Sequence, residues 1–232
     1  MRPVHRGNVP VDEEGTPKEY TEYANARKDL ISRLGEYCSY CEMELDTSLA
    51  VEHIRPKTHH ANLELKWDNF LLACTNCNST KGHQDPAPNS ILWPHVDNTF
   101  RAFEYTTEGR VKPAPGLSVV LKRKAEDTIA LVGLAAAPDT QKASDRRWLN
   151  RQEAWRQAML SKADLAEADL PAMRRQIIRT AKAKGYWSIW MTVFSDDPDM
   201  LQRLIDDTEF PGTAQNCFNG DGDAIPRPNG QL

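Results

Sequence analysis

The chain has 232 residues, 40% of them hydrophobic and 27% charged, with a formal net charge of −4. This composition belongs to a globular protein with a sizeable core, and the negative balance excludes indiscriminate coating of nucleic acid. No apolar run reaches the roughly 20 residues that a membrane span needs, and the opening "MRPVHRGNVPVDEEG" lacks the apolar stretch of a secretory signal, so a cytoplasmic address is expected.

In chain order, residues 17–34 are expected to form a helix, with Pro17 in the first turn and Gly35 just past the end. Tyr20, Tyr23, Ala24, Leu30, Ile31 and Leu34 repeat at helical spacing. Two short strand-like pieces follow around Leu49 to Ile54, then a polar loop and a short helix from near Asn78. Past Gly82 the chain turns loop-like through Pro86, Pro88 and Pro94. "FRAFEYTTEGRVKPAP" reads as a small hairpin turning near Glu108-Gly109.

From Leu117 to about residue 206 the pattern is helical. Trp148, Trp155 and Met159 share one face, and Leu170, Met173, Ile177, Ile178 and Ala181 stripe another; both stripes are expected to be core. Charge is uneven here: Lys142 to Gly185 holds eleven Lys/Arg against five Asp/Glu, and Ser195 onward holds two against eight. A basic segment before an acidic tail allows local phosphate binding, with solvated helix faces as the plainer reading. The last 22 residues contain seven Gly or Pro and look loop-like, although "FPGTAQNCF" could be an anchored segment.

Four of the five cysteines form two pairs, Cys38/Cys41 and Cys74/Cys77. Two Cys-x-x-Cys turns, each offering two thiolates, suit a tetrahedral structural zinc better than disulfides. Cys217 stands alone and reads as a packing residue.

Between the pairs lies "VEHIRPKTHHANLELKWDNFLLACTNCNSTKG". Hydrolysing a phosphodiester needs a base to activate water and a cation to neutralise charge. Glu52 and His53 are adjacent, so on an extended strand their side chains would face opposite ways; the pair is expected at a strand end where the backbone bends. Asn78 directly follows Cys77, so a metal-pinned knuckle would fix it rigidly. A hard cation takes oxygen ligands, and Glu52 with the Asn78 carbonyl would supply two.

Together, "CSYC", "VEHIRPK", "WDNFLLAC" and "CNSTKG" resemble the HNH endonucleases, whose ββα-metal core often rests on a four-cysteine zinc site. The resemblance implies His53 as general base, Glu52 as the acidic metal ligand, and Asn69 as the brace of the loop holding the base. It implies Asn78 as a second metal ligand and Lys81 as a phosphate neighbour, with Arg55 and Lys57 as further phosphate contacts. The family usually carries Asp where this chain has Glu52, which reaches further. His59, His60 and His83 read as bystanders or phosphate neighbours, His83 being nearest the metal. The expected cofactors are structural Zn2+ and a catalytic Mg2+ or Mn2+.

More narrowly, "MRPV", "LGEYCSYCE", "WPHVDNTFRAFEY" and "DRRWLNRQEAW" are similar to the HNH component of Septu anti-phage systems, relatives of which accompany some retrons. That resemblance implies an ABC-type ATPase partner and a nucleic-acid substrate, with DNA favoured and RNA open, and no membrane. The expected fold is mainly α with a small α+β core. It comprises an N-terminal helical segment (1–35), an HNH nuclease core with its zinc site (36–85) and a loop and hairpin connection (86–116). A helical region (117–210) and a tail (211–232) complete it. Two rivals stand beside catalysis: a zinc-stapled nucleic-acid-binding module, and an ATPase-docking scaffold with a vestigial site.

Overall fold

Leu49, Val51 and the unbroken apolar run from Phe70 carry the sheet that lies between the two cysteine pairs. In the computed structural model, which describes residues 1–137, 139–140, 145–206 and 208–232, strand β1 (Leu49–His53) pairs antiparallel with β2 (Phe70–Cys74). Their register sets Glu52 opposite Leu71 and His53 opposite Phe70. The expectation of two strand pieces within 49–54 is therefore corrected: one strand lies there and its mate is 70–74. Every residue of β2 is buried, so the period-2 alternation that marks a half-exposed strand is absent from it.

Helix α1 (Arg27–Leu34) is shorter than the expected 17–34 and is led in by a 3-10 turn, Tyr23–Ala26. Residues before it are committed elsewhere. Pro17 bridges to Val11, and both Lys18 Nζ and Tyr20 Oη donate to Asp29 on the helix, at 2.8 and 3.0 Å. The chain thus folds back along α1 instead of extending it. Gly35 ends the helix at φ 73° with the Tyr37 ring only 2.8 Å from where a Cβ would stand, so glycine is required there.

Helix α2 (Thr75–Lys81) follows β2 without a loop and starts three residues before the expected Asn78. Cys74 caps it, its Sγ accepting the Cys77 N–H. Strands β3 (Phe103–Tyr105) and β4 (Val111–Pro113) form the expected hairpin. Its Gly109 lies against the Trp148 carbonyl, where a Cβ would come within 2.1 Å of the oxygen.

Helices α3 (Val119–Leu131), α4 (Arg147–Glu167), α5 (Pro171–Lys184), α6 (Trp187–Val193) and α7 (Pro198–Ile205) complete the chain, so the fold is mainly helical around a small α+β core. Helix α6 is almost wholly buried, including Trp187 and Trp190. The stripe expected to seat α4 is corrected: Met159 is 53% exposed, and Trp148 and Trp155 are only half-buried. Its buried face is Arg147, Arg151, Ala154, Ala158, Ser161 and Leu165. Helix α4 packs mainly against α6, and Ala154, Ala158 and Ser161 on the buried face let the two helices approach closely. On α5, Ile177, Ile178 and Ala181 are buried as expected and Met173 is partly so, whereas Leu170 is exposed just before the helix starts.

Three of the basic segment's cations reach acids of the later stretch. Lys162 pairs with Asp196, Arg174 with Asp197 and Asp199, and Lys182 with Glu209. Lys142, where the basic stretch begins, and Asp207, inside the acidic one, lie outside the described residues. The tail is anchored: Phe210, Ala214, Cys217 and Phe218 are buried, and Val4 bridges to Thr213. Among the described residues no helix is long and apolar enough to cross a membrane.

Candidate active site

The two Cys-x-x-Cys turns converge. Sγ atoms of Cys38, Cys41, Cys74 and Cys77 all lie within 4.8 Å of one another, and all four residues are buried. Cys41 and Cys74 Sγ are 3.7 Å apart, close to the roughly 3.8 Å edge of a tetrahedron with 2.3 Å metal–sulfur bonds. Four thiolates packed this closely in a buried setting would repel one another, so the cluster calls for a cation's charge. The donor set fits a four-cysteine metal centre. Among the described residues it is the one convergent group of three or more His, Cys, Asp or Glu ligands.

Beside this centre, β1, α2 and the loop after β1 enclose a cleft of about 400 Å³, lined in part by Tyr23, Glu52, His53, Lys57, Asn78 and His83. Strand β1 ends at His53, where the chain bends, and both members of the acid–histidine pair reach the cleft. Glu52 is 3% exposed; burial pushes its carboxyl above the ordinary value and the Lys81 ammonium pulls it back.

His53 Nε2 lies 2.9 Å from the Glu64 carbonyl oxygen. A carbonyl only accepts, so Nε2 carries the hydrogen and Nδ1 is left with its lone pair. The ring is held edge-on between Tyr23 and Phe70, at centroid distances of 4.9 and 5.4 Å. Burial holds the imidazole below its ordinary pKa; the Glu64 carbonyl opposes this, and the Lys57 and Lys81 cations add to it. A neutral, oriented imidazole is what a general base requires.

Asn69 ties down the loop that follows. Its Oδ1 accepts the Arg55 N–H at 2.8 Å, and its Nδ2 donates to the Arg55 and Leu63 carbonyls at 2.9 and 3.2 Å. Because Leu63 adjoins Glu64, the same amide supports the carbonyl that orients His53.

The basic residues expected at phosphate lie differently from one another. Lys81 is turned inward, 1% exposed, donating to the His53 carbonyl at 2.7 Å and standing 2.8 Å from Glu52 Oε1. The ion pair is close but poorly directed, for that Glu52 oxygen gains no well-aligned hydrogen bond among the described residues. Burial on α2 therefore leaves Lys81 no reach to a surface phosphate. Arg55 is held by Asp85 through Nε at 2.6 Å and Nη2 at 3.1 Å, and His60 joins the same carboxylate at 2.8 Å. Lys57 remains 40% exposed at the cleft, over the Tyr23 ring and beside Glu64. His83 is exposed and lines the cleft, with Nδ1 near the Thr58 hydroxyl, while His59 is exposed outside it.

Residue spacing gave no sign of Tyr23 as a wall of the site, because its apolar role along α1 explained it already. The Glu64 carbonyl is equally invisible to side-chain motifs.

A ββα unit on a four-cysteine centre, with an acid–histidine pair and an asparagine in one cleft, defines the class. Residues 38–84 match the family described as HNH endonuclease. Within this chain, 87 aligned residues are 36% identical to the Septu protein PtuB of Bacillus thuringiensis, covering 35% of this chain and 34% of that protein. The match thus spans about a third of its relative's length.

Proposed function

We propose that this protein is a metal-dependent endonuclease that hydrolyses phosphodiester bonds in nucleic acid as the effector of an anti-phage defence system. The observation that carries the reading is His53, oriented by the Glu64 carbonyl with Nδ1 free to accept a proton, in the same cleft as Glu52 and Asn78. The cysteine centre would hold Zn2+ structurally, pinning α2 and with it Asn78. Glu52 and Asn78 would hold Mg2+ or Mn2+, two oxygen donors with water and phosphate completing the set, as suits a hard cation. A divalent ion there supplies neutralising charge for the phosphate and the departing 3′ oxygen.

His53 Nδ1 takes a proton from water, the water oxygen attacks phosphorus in line, and the P–O bond to the 3′ oxygen breaks. Lys57 is the exposed cation nearest the cleft for a substrate phosphate. One site cuts one strand, so a monomer nicks, with DNA favoured over RNA. A purely structural zinc module gives no reason for a buried glutamate beside an oriented histidine. Restraint of such a nuclease in the cytoplasm would come from an ABC-type ATPase encoded beside it, docked on part of the helical region.

A plasmid-nicking assay with Mg2+ or Mn2+ tests this, comparing wild type with His53→Ala, each with and without that ATPase. Metal-dependent nicking lost in His53→Ala supports the reading; equal nicking by both proteins overturns it.

A further inference from the structure

Two arginines on one face of α4, four residues apart, are both nearly sealed from solvent, Arg147 at 2% and Arg151 at 1% exposure. Their partners differ in kind. Among the described residues Arg151 bonds to backbone carbonyls alone, those of Gly109, Leu134 and Ala136. Arg147 instead places Nη1 3.0 Å from the Sγ of Cys77, while also donating to the carbonyls of Val132 and Gly133 at 3.0 and 2.8 Å. Its Nε and Nη2 grip Asp145 at 3.0 and 2.6 Å, and Asp145 accepts in turn from the Asn76 amide at 3.2 Å. Helix α2 is therefore held at Asn76 and Cys77, the two residues just before Asn78.

We infer that Arg147 is the outer cationic partner of the four-cysteine centre and, through Cys77 and Asp145, a positioning residue for the helix that carries Asn78. The inference rests on the reading of that centre as a zinc site. Four thiolates around one Zn2+ carry a net charge of −2, and such a charge is costly in a buried setting. A guanidinium donating to one sulfur offsets part of it and fixes the ligand's direction. The planar fork also reaches four acceptor groups at once, which a lysine ammonium on a flexible stem does not reproduce. A helix outside the family-matched segment, residues 38–84, thereby supplies a component of the metal centre inside it.

The test uses the full chain loaded with zinc, and separately with cobalt, in wild type, Arg147→Met, Arg147→Lys and Arg151→Met. Zinc retention is read by competition with a chromogenic chelator, and the thiolate-to-cobalt absorption bands report on the sulfur directly. Arg147→Met should hold zinc at least about tenfold more weakly, the usual effect of losing an outer partner, and should shift the cobalt bands. Arg147→Lys should recover part of both. Arg151→Met, with a comparable loss of melting temperature, should leave both unchanged.

If Arg147→Met does not fold, Arg147→Gln, which keeps N–H donors without the charge, takes its place with the same expectation. Wild-type zinc retention and cobalt bands in a folded, neutral Arg147 variant overturn the inference alone. A wild-type chain that binds neither metal overturns the zinc reading and the inference with it. No outcome depends on cleavage, so a failed nuclease assay leaves this result separate.

Discussion

Lys81 on α2 places its ammonium 2.8 Å from the carboxylate of Glu52 on β1, with side-chain exposures of only 1% and 4%. Breaking a buried pair by removing one partner strands the other charge, at a cost of about 3–5 kcal/mol. Lys81→Met should therefore lower the melting temperature by at least about 6 °C in a chain of this size. The double variant Glu52→Gln/Lys81→Met should be less destabilised than Lys81→Met alone, because the stranded carboxylate is gone. Thermal unfolding of the three proteins decides the point: a Lys81→Met midpoint equal to wild type would mean that the pair is not formed in solution.

His53→Ala removes the proposed base and one hydrogen bond to Glu64 without opening the core. Nicking should drop at least about a hundredfold, while stability changes by about 1 kcal/mol. Asn78→Ala should act otherwise, moving the activating Mg2+ or Mn2+ concentration upward. Initial rates against metal concentration separate the two. Identical curves for Asn78→Ala and wild type would remove Asn78 from the metal site.

Asn69→Ala deletes an amide that satisfies three backbone groups of the loop after β1. Leaving those groups unmatched should cost about 1–3 kcal/mol and loosen the Glu64 carbonyl behind His53. Activity should fall, but by less than in His53→Ala, and zinc content should stay the same. A variant that loses its zinc would show that the amide supports the metal centre instead of the base.

Legibility divided along physical lines. The cysteine pairs were readable because ligands three positions apart are set by local geometry, and the hairpin and the end of α1 at Gly35 were equally local. Strand β2 was missed as a strand because its burial on both faces erases alternation. The α4 face was misread too: periodicity selected Trp148, Trp155 and Met159, but the buried face carries Arg147 and Arg151, whose guanidinium groups are satisfied by carbonyls and side chains of distant segments. The inward turn of Lys81 and the approach of Arg147 to Cys77 depend on how distant elements pack, and spacing carries no trace of that. Glu42, one residue past Cys41, likewise accepts from the Ser188 hydroxyl on α6 at 2.5 Å. The cysteine centre therefore shares contacts with the helical region at several points.

Removing the metal should unfold more than a loop, because the four cysteines lie in the same buried cluster as the helices. Elemental analysis of protein purified without added metal should give about one zinc per chain. A strong chelator should lower the melting temperature of the whole protein in a single transition, and Cys38→Ser or Cys77→Ser should reduce solubility. Folded, zinc-free cysteine variants that melt like wild type would contradict a structural metal.

His95 offers a pH test away from the cleft. Its ring is partly exposed, but Nδ1 is sealed and has no hydrogen-bond partner among the described residues. Burial lowers its pKa to about 3, and the nearby Arg6 and Arg227 cations add to the effect. The sign follows from linkage. Above about pH 6.5 the ring is neutral in both folded and unfolded chains and has no effect. As pH falls from there toward 3, the unfolded chain takes up a proton that the folded one refuses, so stability is lost. The slope from this one group is at most about 1.4 kcal/mol per pH unit. Urea unfolding of wild type and His95→Asn at pH 7.5 and pH 5.0 measures it. The wild type should lose more stability than the variant between those two values. Parallel losses would assign the acid sensitivity to other groups.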